Sequence, residues 1–134
     1  MTQFKPQRAG PKAKILIVDD SSFARDLLKG MLTEAGFSHL LEADNPDEAL
    51  SLVRMKEPDL VLLDIDLGGA FDGVGVLKEI KRISAKTHVI MISALAQKLL
   101  EEKMIADSAD AFLIKPFKPE QLLFAIGLAM GYDV

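Results

Sequence analysis

The chain has no cysteine and only two histidines among its 134 residues. The first absence excludes disulfide scaffolds, thiol catalysis and cysteine-rich zinc sites. The second leaves His39 and His88 too far apart in sequence for a metal-ligand spacing. Charge of one sign is scarce too: the formal net charge is −4, which supplies no bulk attraction to nucleic acid or to an anionic membrane. There is no apolar run long enough to span a bilayer, no signal-peptide pattern, no internal repeat and no low-complexity tract. A cytoplasmic protein without nucleic-acid or membrane partners is therefore expected. What is present is ordinary globular material, 49% hydrophobic and 27% charged. Residues 1–13, with Lys5, Arg8 and Lys12 among Pro6, Gly10 and Pro11, read as a flexible basic tail, and residues 14–134 as one domain.

Short apolar runs alternate with helical spacing along that domain. Lys14-Ile15-Leu16-Ile17-Val18 and Leu60-Val61-Leu62-Leu63 are uninterrupted, as buried parallel strands are. Ser21 or Ser22 caps a helix with Ala24, Leu27, Leu28, Met31, Leu32 and Ala35 as its buried stripe, and Gly36 stops it. Leu40 and Leu41 lie in a short second strand. Asn45-Pro46-Asp47-Glu48 is a helix start, Ala49, Leu50 and Val53 its inner face, and Pro58 its end. Val76, Leu77, Ile80 and Ile83 predict a third helix. His88 to Ile92 is a fourth strand, a helix follows from about Ala96 to Asp107, Ala111 to Ile114 is a fifth strand, and Pro119 opens a last helix. Five strands alternating with five helices require an α/β fold, doubly wound, with a five-stranded parallel sheet covered on both faces.

Such sheets bind ligands at the carboxyl edge of their strands. Asp19 and Asp20 end the first strand, Asp64 the third, Ser93 the fourth, and Lys115 the fifth. Converging carboxylates repel one another and need a cation or a proton. Oxygen-only ligands with room for water and phosphate favour Mg²⁺ over zinc. With Asp64 as a phosphoryl acceptor every group has a task. The acidic pair holds the metal, Lys115 balances the carboxylate and then meets a phosphate oxygen, and Ser93 donates to another. Each residue alone reads more simply as a turn, a cap or a solvated strand end; their delivery by four separate strand ends is what raises the chemical reading.

The motifs Val18-Asp19-Asp20-Ser21-Ser22, Leu63-Asp64-Ile65-Asp66, Phe71-Asp72-Gly73, Ile92-Ser93-Ala94 and Ile114-Lys115-Pro116-Phe117 together resemble the receiver domains of bacterial response regulators. The likeness is greatest to the stand-alone, chemotaxis-type (CheY-like) group, and it covers roughly Lys14 to Gly131. It implies a flavodoxin-like strand order 2-1-3-4-5. It implies that Asp64 takes a phosphoryl group from a sensor histidine kinase or phosphotransfer protein. Asp20 would be the direct Mg²⁺ ligand, Asp19 would act mostly through water, and the backbone carbonyl of Asp66 would complete the protein ligands. The Lys115–Pro116 bond would be cis. Ser93 and Phe112 would form the switch, moving when phosphate arrives and changing contacts with an effector protein. Such a domain is not an enzyme but assists its own phosphorylation and dephosphorylation.

Some features depart from that pattern. Gly68 stands where proline is common, the stretch before Asp72-Gly73 is too long by one residue, Phe112 replaces a tyrosine, and Leu95 is apolar beside the path of a hydrolytic water. The last helix has no charged residue from Gln121 to Tyr132, leaving Phe124 and Leu128 on its outer side as an interface for a homodimer or an effector. With nothing following Val134, output through protein contacts is expected; a receiver fragment of a larger regulator is the variant of this reading. Two other classes compete. A haloacid-dehalogenase-type aspartate phosphatase matches Asp64-Ile65-Asp66 locally, but its nucleophile lies on the first strand. A flavin-binding flavodoxin needs a phosphate-cradling first loop, where Asp19 and Asp20 would repel phosphate.

Overall fold

Where apolar runs have no polar alternation, a strand must be buried on both faces, and this decides the architecture. The computed structural model describes residues 12–66, 73–95 and 109–131. Five strands, β1 (Lys14–Val18), β2 (His39–Ala43), β3 (Leu60–Asp64), β4 (His88–Ser93) and β5 (Ala111–Ile114), form one parallel sheet in the order β2-β1-β3-β4-β5. The described helices are α1 (Ser22–Glu34), α2 (Pro46–Lys56), α3 (Gly73–Ile83) and α4 (Pro119–Met130). The predicted helix near 96–107, the loop residues Gly68, Phe71 and Asp72, and residues 1–11 of the tail lie outside the described residues, whereas Ala13, read as the end of the tail, is buried in the core.

Alternation sorts the strand side chains into two cores. Ile15 and Ile17, Leu60 and Leu62, and Ile90 and Ile92 pack with Leu28 and Leu32 of α1 and Leu122, Ala125, Ile126 and Ala129 of α4. Leu16 and Val18, Val61 and Leu63, and Val89 and Met91 pack with Ala49 and Val53 of α2 and Val76, Leu77 and Ile80 of α3. The same alternation continues past the strand ends and fixes which face each rim residue joins.

The helix boundaries follow from local chemistry. The Ser21 hydroxyl accepts from the Ala24 amide at 3.2 Å, and the Asn45 side chain from the Glu48 amide at 2.8 Å. Gly36, at φ 102°, turns the chain out of α1; Glu57 ends α2 at φ 47°, a left-handed conformation unusual for a residue with a Cβ. Helical expectations shift at three residues. Leu27, predicted in the buried stripe of α1, is 51% exposed, because the helix meets the sheet along a narrower line through Leu28 and Leu32. Ile83 and Leu50 are only partly buried at the flanks of their stripes.

Candidate functional site

The register builds the site. Val18 pairs with Leu63, so the next residues, Asp19 and Asp64, come out side by side on neighbouring strands. Asp64 pairs with Ile92, and Ser93 with Ile114, which puts Ser93 and Lys115 one step further along the same rim. By alternation Asp19, Asp64 and Lys115 continue the Ile17, Leu62 and Leu113 rows and belong to the α1/α4 face. Ser93 and Phe112 belong to the other face. Asp19, Asp64 and Lys115 are therefore brought together on one face, with Ser93 ending its strand on the other.

Lys115 Nζ lies 2.6 Å from Asp64 Oδ2 and 3.9 Å from Asp19 Oδ2. The peptide bond after Lys115 is cis. Asp64 Oδ1 accepts the Asp66 amide at 2.7 Å, and Asp19 Oδ1 the Ser21 amide at 2.9 Å. Asp19 and Asp64 are buried, while Asp20 stands exposed at the rim. This imbalance shows in the acidities. Burial above all, then the hydrogen bond to Asp64, pushes the Asp19 carboxyl from 3.8 up to about 6, against the Ser21 amide and Lys115. Burial pulls the Lys115 ammonium down, but the bond to Asp64 and the charges of Asp64, Asp19 and Asp66 win and raise it. On the α1 side the acidic rim opens into an apolar cleft of about 400 Å³ lined by Leu27, Met31, Pro116 and Phe117 among others.

Among the described residues no three potential ligand side chains surround one point as a ready-made cage. Magnesium needs none, since it keeps several waters and takes one or two carboxylates. The donor set fits that ion: oxygen only, one carboxylate exposed, and a neighbour, Asp19, whose charge is penalised first by burial and then by Asp64. His88 is not part of the site; it lies at the start of β4, with Nδ1 3.4 Å from Asp110 Oδ1.

Three features escaped the sequence reading. The Asp66 side chain, expected to matter only through its backbone, accepts the Ser93 hydroxyl at 2.6 Å and the Ala94 amide at 2.5 Å, tying the β4 end to the β3 end. A Cβ on Gly73 would come within 2.5 Å of the Ile65 side chain, so α3 starts against the residue after Asp64 only because position 73 has none. Arg25 donates to the Asp19 carbonyl at 2.7 Å. The available signal for Arg25 was a cation in the first turns of a helix, where the macrodipole disfavours one.

Phe112 is half-buried, packs against the α2/α3 core and borders a cleft of about 360 Å³ with Phe124 and Leu128. The last two are 54% and 59% exposed. No described helix is long and apolar enough to cross a membrane.

The family model for the response regulator receiver domain matches residues 15–127. The chain is 40% identical to the chemotaxis protein CheY of Bacillus subtilis, over 88% of this chain and 98% of that one. It is 34% identical to the chemotaxis protein CheY of Thermotoga maritima, over 84% and 93%. Among solved structures, the receiver domain of NtrX from Brucella abortus is similar with a TM-score of 0.78 at 35% identity, covering 90% of this chain and all of that domain.

Proposed function

The chain belongs to the response regulator receiver domain family, and from that membership we propose that it is a phospho-acceptor switch whose modified residue is Asp64. The observation that carries this is the Asp64–Lys115 contact beside an acidic pair at the carboxyl rim of the sheet. Two-component signalling requires a phosphodonor, a sensor histidine kinase or phosphotransfer protein, and a target that reads the result. The similarity to chemotaxis proteins favours a chemotaxis or motility role over that of a phosphorelay intermediate.

In the transfer, an Asp64 carboxylate oxygen attacks the phosphorus of a phosphohistidine. The P–N bond breaks, its electron pair returns to the imidazole, and an aspartyl phosphate remains. The Asp66 amide and Lys115 hold Asp64 in place through separate oxygens, so the nucleophile is oriented before the donor arrives. Lys115 then exchanges part of its bond to Asp64 for a phosphoryl oxygen. Mg²⁺, held by Asp20, Asp64 and the Asp66 carbonyl with Asp19 behind them, would neutralise charge developing on the phosphoryl oxygens.

Signalling follows from Ser93. Its hydroxyl is already engaged with the Asp66 carboxylate, so moving to a phosphoryl oxygen exchanges one charge-assisted hydrogen bond for another. The bias toward the active arrangement is the difference between two bonds each worth about 1.5–3 kcal/mol, and so is smaller than either. Phe112, on the same sheet face as Ser93 and bordering the cleft at Phe124 and Leu128, passes the change to an outer surface. That surface of α4 is where an effector, or a second copy of the chain, would bind.

Incubation with acetyl phosphate and Mg²⁺ should add one phosphoryl group to the wild type and none to Asp64→Asn. Failure to label the wild type contradicts the proposal. Multiple turnover of a chromogenic phosphate ester by the same sample would instead support the phosphatase reading. Sedimentation with and without beryllium fluoride tests α4: a phosphorylation-mimic-dependent dimer supports self-association, and a monomer in both states leaves the effector.

A further inference from the structure

Asp20 is exposed, yet the peptide unit that carries its amide is gripped by a side chain from α1. That unit is the Asp19 carbonyl joined to the Asp20 nitrogen. In the preceding peptide unit the Asp19 amide donates to the carbonyl of Ala43, the last residue of β2, at 3.1 Å. The Asp19 carbonyl accepts from Arg25 Nη1 at 2.7 Å. Arg25 rises from α1, with its side chain only 16% exposed, and its Nε donates to Glu42 Oε1 of β2 at 2.9 Å. The other Glu42 oxygen takes Lys29 at 2.8 Å, and Lys29 lies 3.3 Å from Asp26. Hydrogen bonds from Lys29 first, then from Arg25, hold the Glu42 carboxyl below its ordinary value against burial. The guanidinium is thus a planar fork with one prong on the acidic pair's backbone and another on the edge strand.

We propose that Arg25, fixed by Glu42, is a positioning residue for divalent-cation binding: it orients the Asp19–Asp20 peptide and thereby aims the Asp20 carboxylate. The inference rests on the reading of the rim as a Mg²⁺ site. A cation beside a cation site should by charge alone weaken metal binding. Nature's usual remedy for that repulsion, an adjacent anion, is present in Glu42, and the four charges of Arg25, Lys29, Glu42 and Asp26 cancel. Positioning and simple charge therefore predict opposite signs when Arg25 is neutralised. Lys29 supplies the matched control, because it carries the same charge on the same Glu42 carboxylate without touching Asp19.

Isothermal titration of Mg²⁺ into wild type, Asp20→Asn, Arg25→Met, Arg25→Lys and Lys29→Met, each checked for folding by circular dichroism, decides the matter. Arg25→Met should weaken binding about tenfold, the scale for losing an outer-shell partner of a metal ligand. Lys29→Met should bind as tightly as wild type or more tightly. Arg25→Lys, which keeps the charge and loses the fork, should be weakened, and it carries the test should Arg25→Met not fold. Equal or tighter binding by both Arg25 variants would overturn the positioning role while leaving the site intact. Wild type without a Mg²⁺ signal, or Asp20→Asn with an unaltered one, would overturn the reading of the rim and the inference together.

Discussion

The two edges of the sheet hold the same residue types and treat them differently. At the amino edge, Asp110 accepts Lys81 at 2.9 Å and the Val89 amide at 2.8 Å, with His88 nearby. Burial pushes its carboxyl up, but Lys81, the Val89 amide and His88 together leave it below its ordinary value. Asp59 likewise accepts the Lys14 amide at 2.8 Å and joins the starts of β1 and β4 through its backbone. At the carboxyl edge, Lys115 lies among Asp19, Asp64 and Asp66, and Asp19 is raised to about 6. At the amino edge the partners outweigh burial and the carboxylates fasten strands; at the carboxyl edge burial and a second carboxylate outweigh the partners of Asp19, a cost that a bound cation would relieve.

Breaking the contrast at its strongest point means removing one aspartate from each edge. Asp110→Ala should destabilise by about 2–3 kcal/mol, because it abandons the half-buried Lys81 and the Val89 amide. Asp19→Asn should do the reverse in the absence of Mg²⁺, stabilising by about 1–2 kcal/mol near neutral pH after solvent screening at the open rim. Urea unfolding of both variants checks the pair, and equal signs would dissolve the distinction.

The same contrast sets opposite pH dependences. A raised carboxyl contributes stability that is full below its unfolded value of 3.8 and is lost as pH rises through about 6. Metal-free protein should therefore lose this contribution between about pH 4 and pH 6, and Asp19→Asn should flatten that slope. A depressed carboxyl such as Asp110 contributes above 3.8 and loses its contribution as pH falls through its lower folded value.

A smaller effect sharpens the carboxyl edge itself. Asp66→Asn keeps the shape of the side chain but removes the charge that holds Ser93 and Ala94, so beryllium fluoride should bind several-fold more tightly, by titration calorimetry. Weaker binding would mean that Asp66 supports the active arrangement instead. Smallest is Leu95→Glu. Leu95 is 59% exposed, so stability should change by less than about 0.5 kcal/mol while the lifetime of the aspartyl phosphate changes. An unaltered dephosphorylation rate removes Leu95 from the mechanism.

The carboxyl edge was legible in the sequence because a fully buried strand advertises its end: an apolar run stops at a charged residue, and parallel strands stop at the same rim. Asp19, Asp20, Asp64, Ser93 and Lys115 all lie on such ends. The amino edge was not, since Asp59, Lys81, His88 and Asp110 show no pattern until register brings them together. Leu27 was misplaced because 3-4 spacing gives a stripe wider than the line along which α1 touches the sheet. Arg25 and Glu42 are joined by a fork across an element boundary, which no periodicity records. Gly73 stood in the sequence only as the end of the Phe71-Asp72-Gly73 motif, and the 2.5 Å approach to Ile65 reveals why it lacks a side chain.

The most direct test of the central claim is the position of the acyl phosphate. Borohydride reduction after labelling with acetyl phosphate and Mg²⁺ converts an aspartyl phosphate to homoserine, which peptide mass mapping locates. The account predicts homoserine at position 64 alone. Homoserine at 19, 20 or 66, or none anywhere in labelled protein, would contradict it.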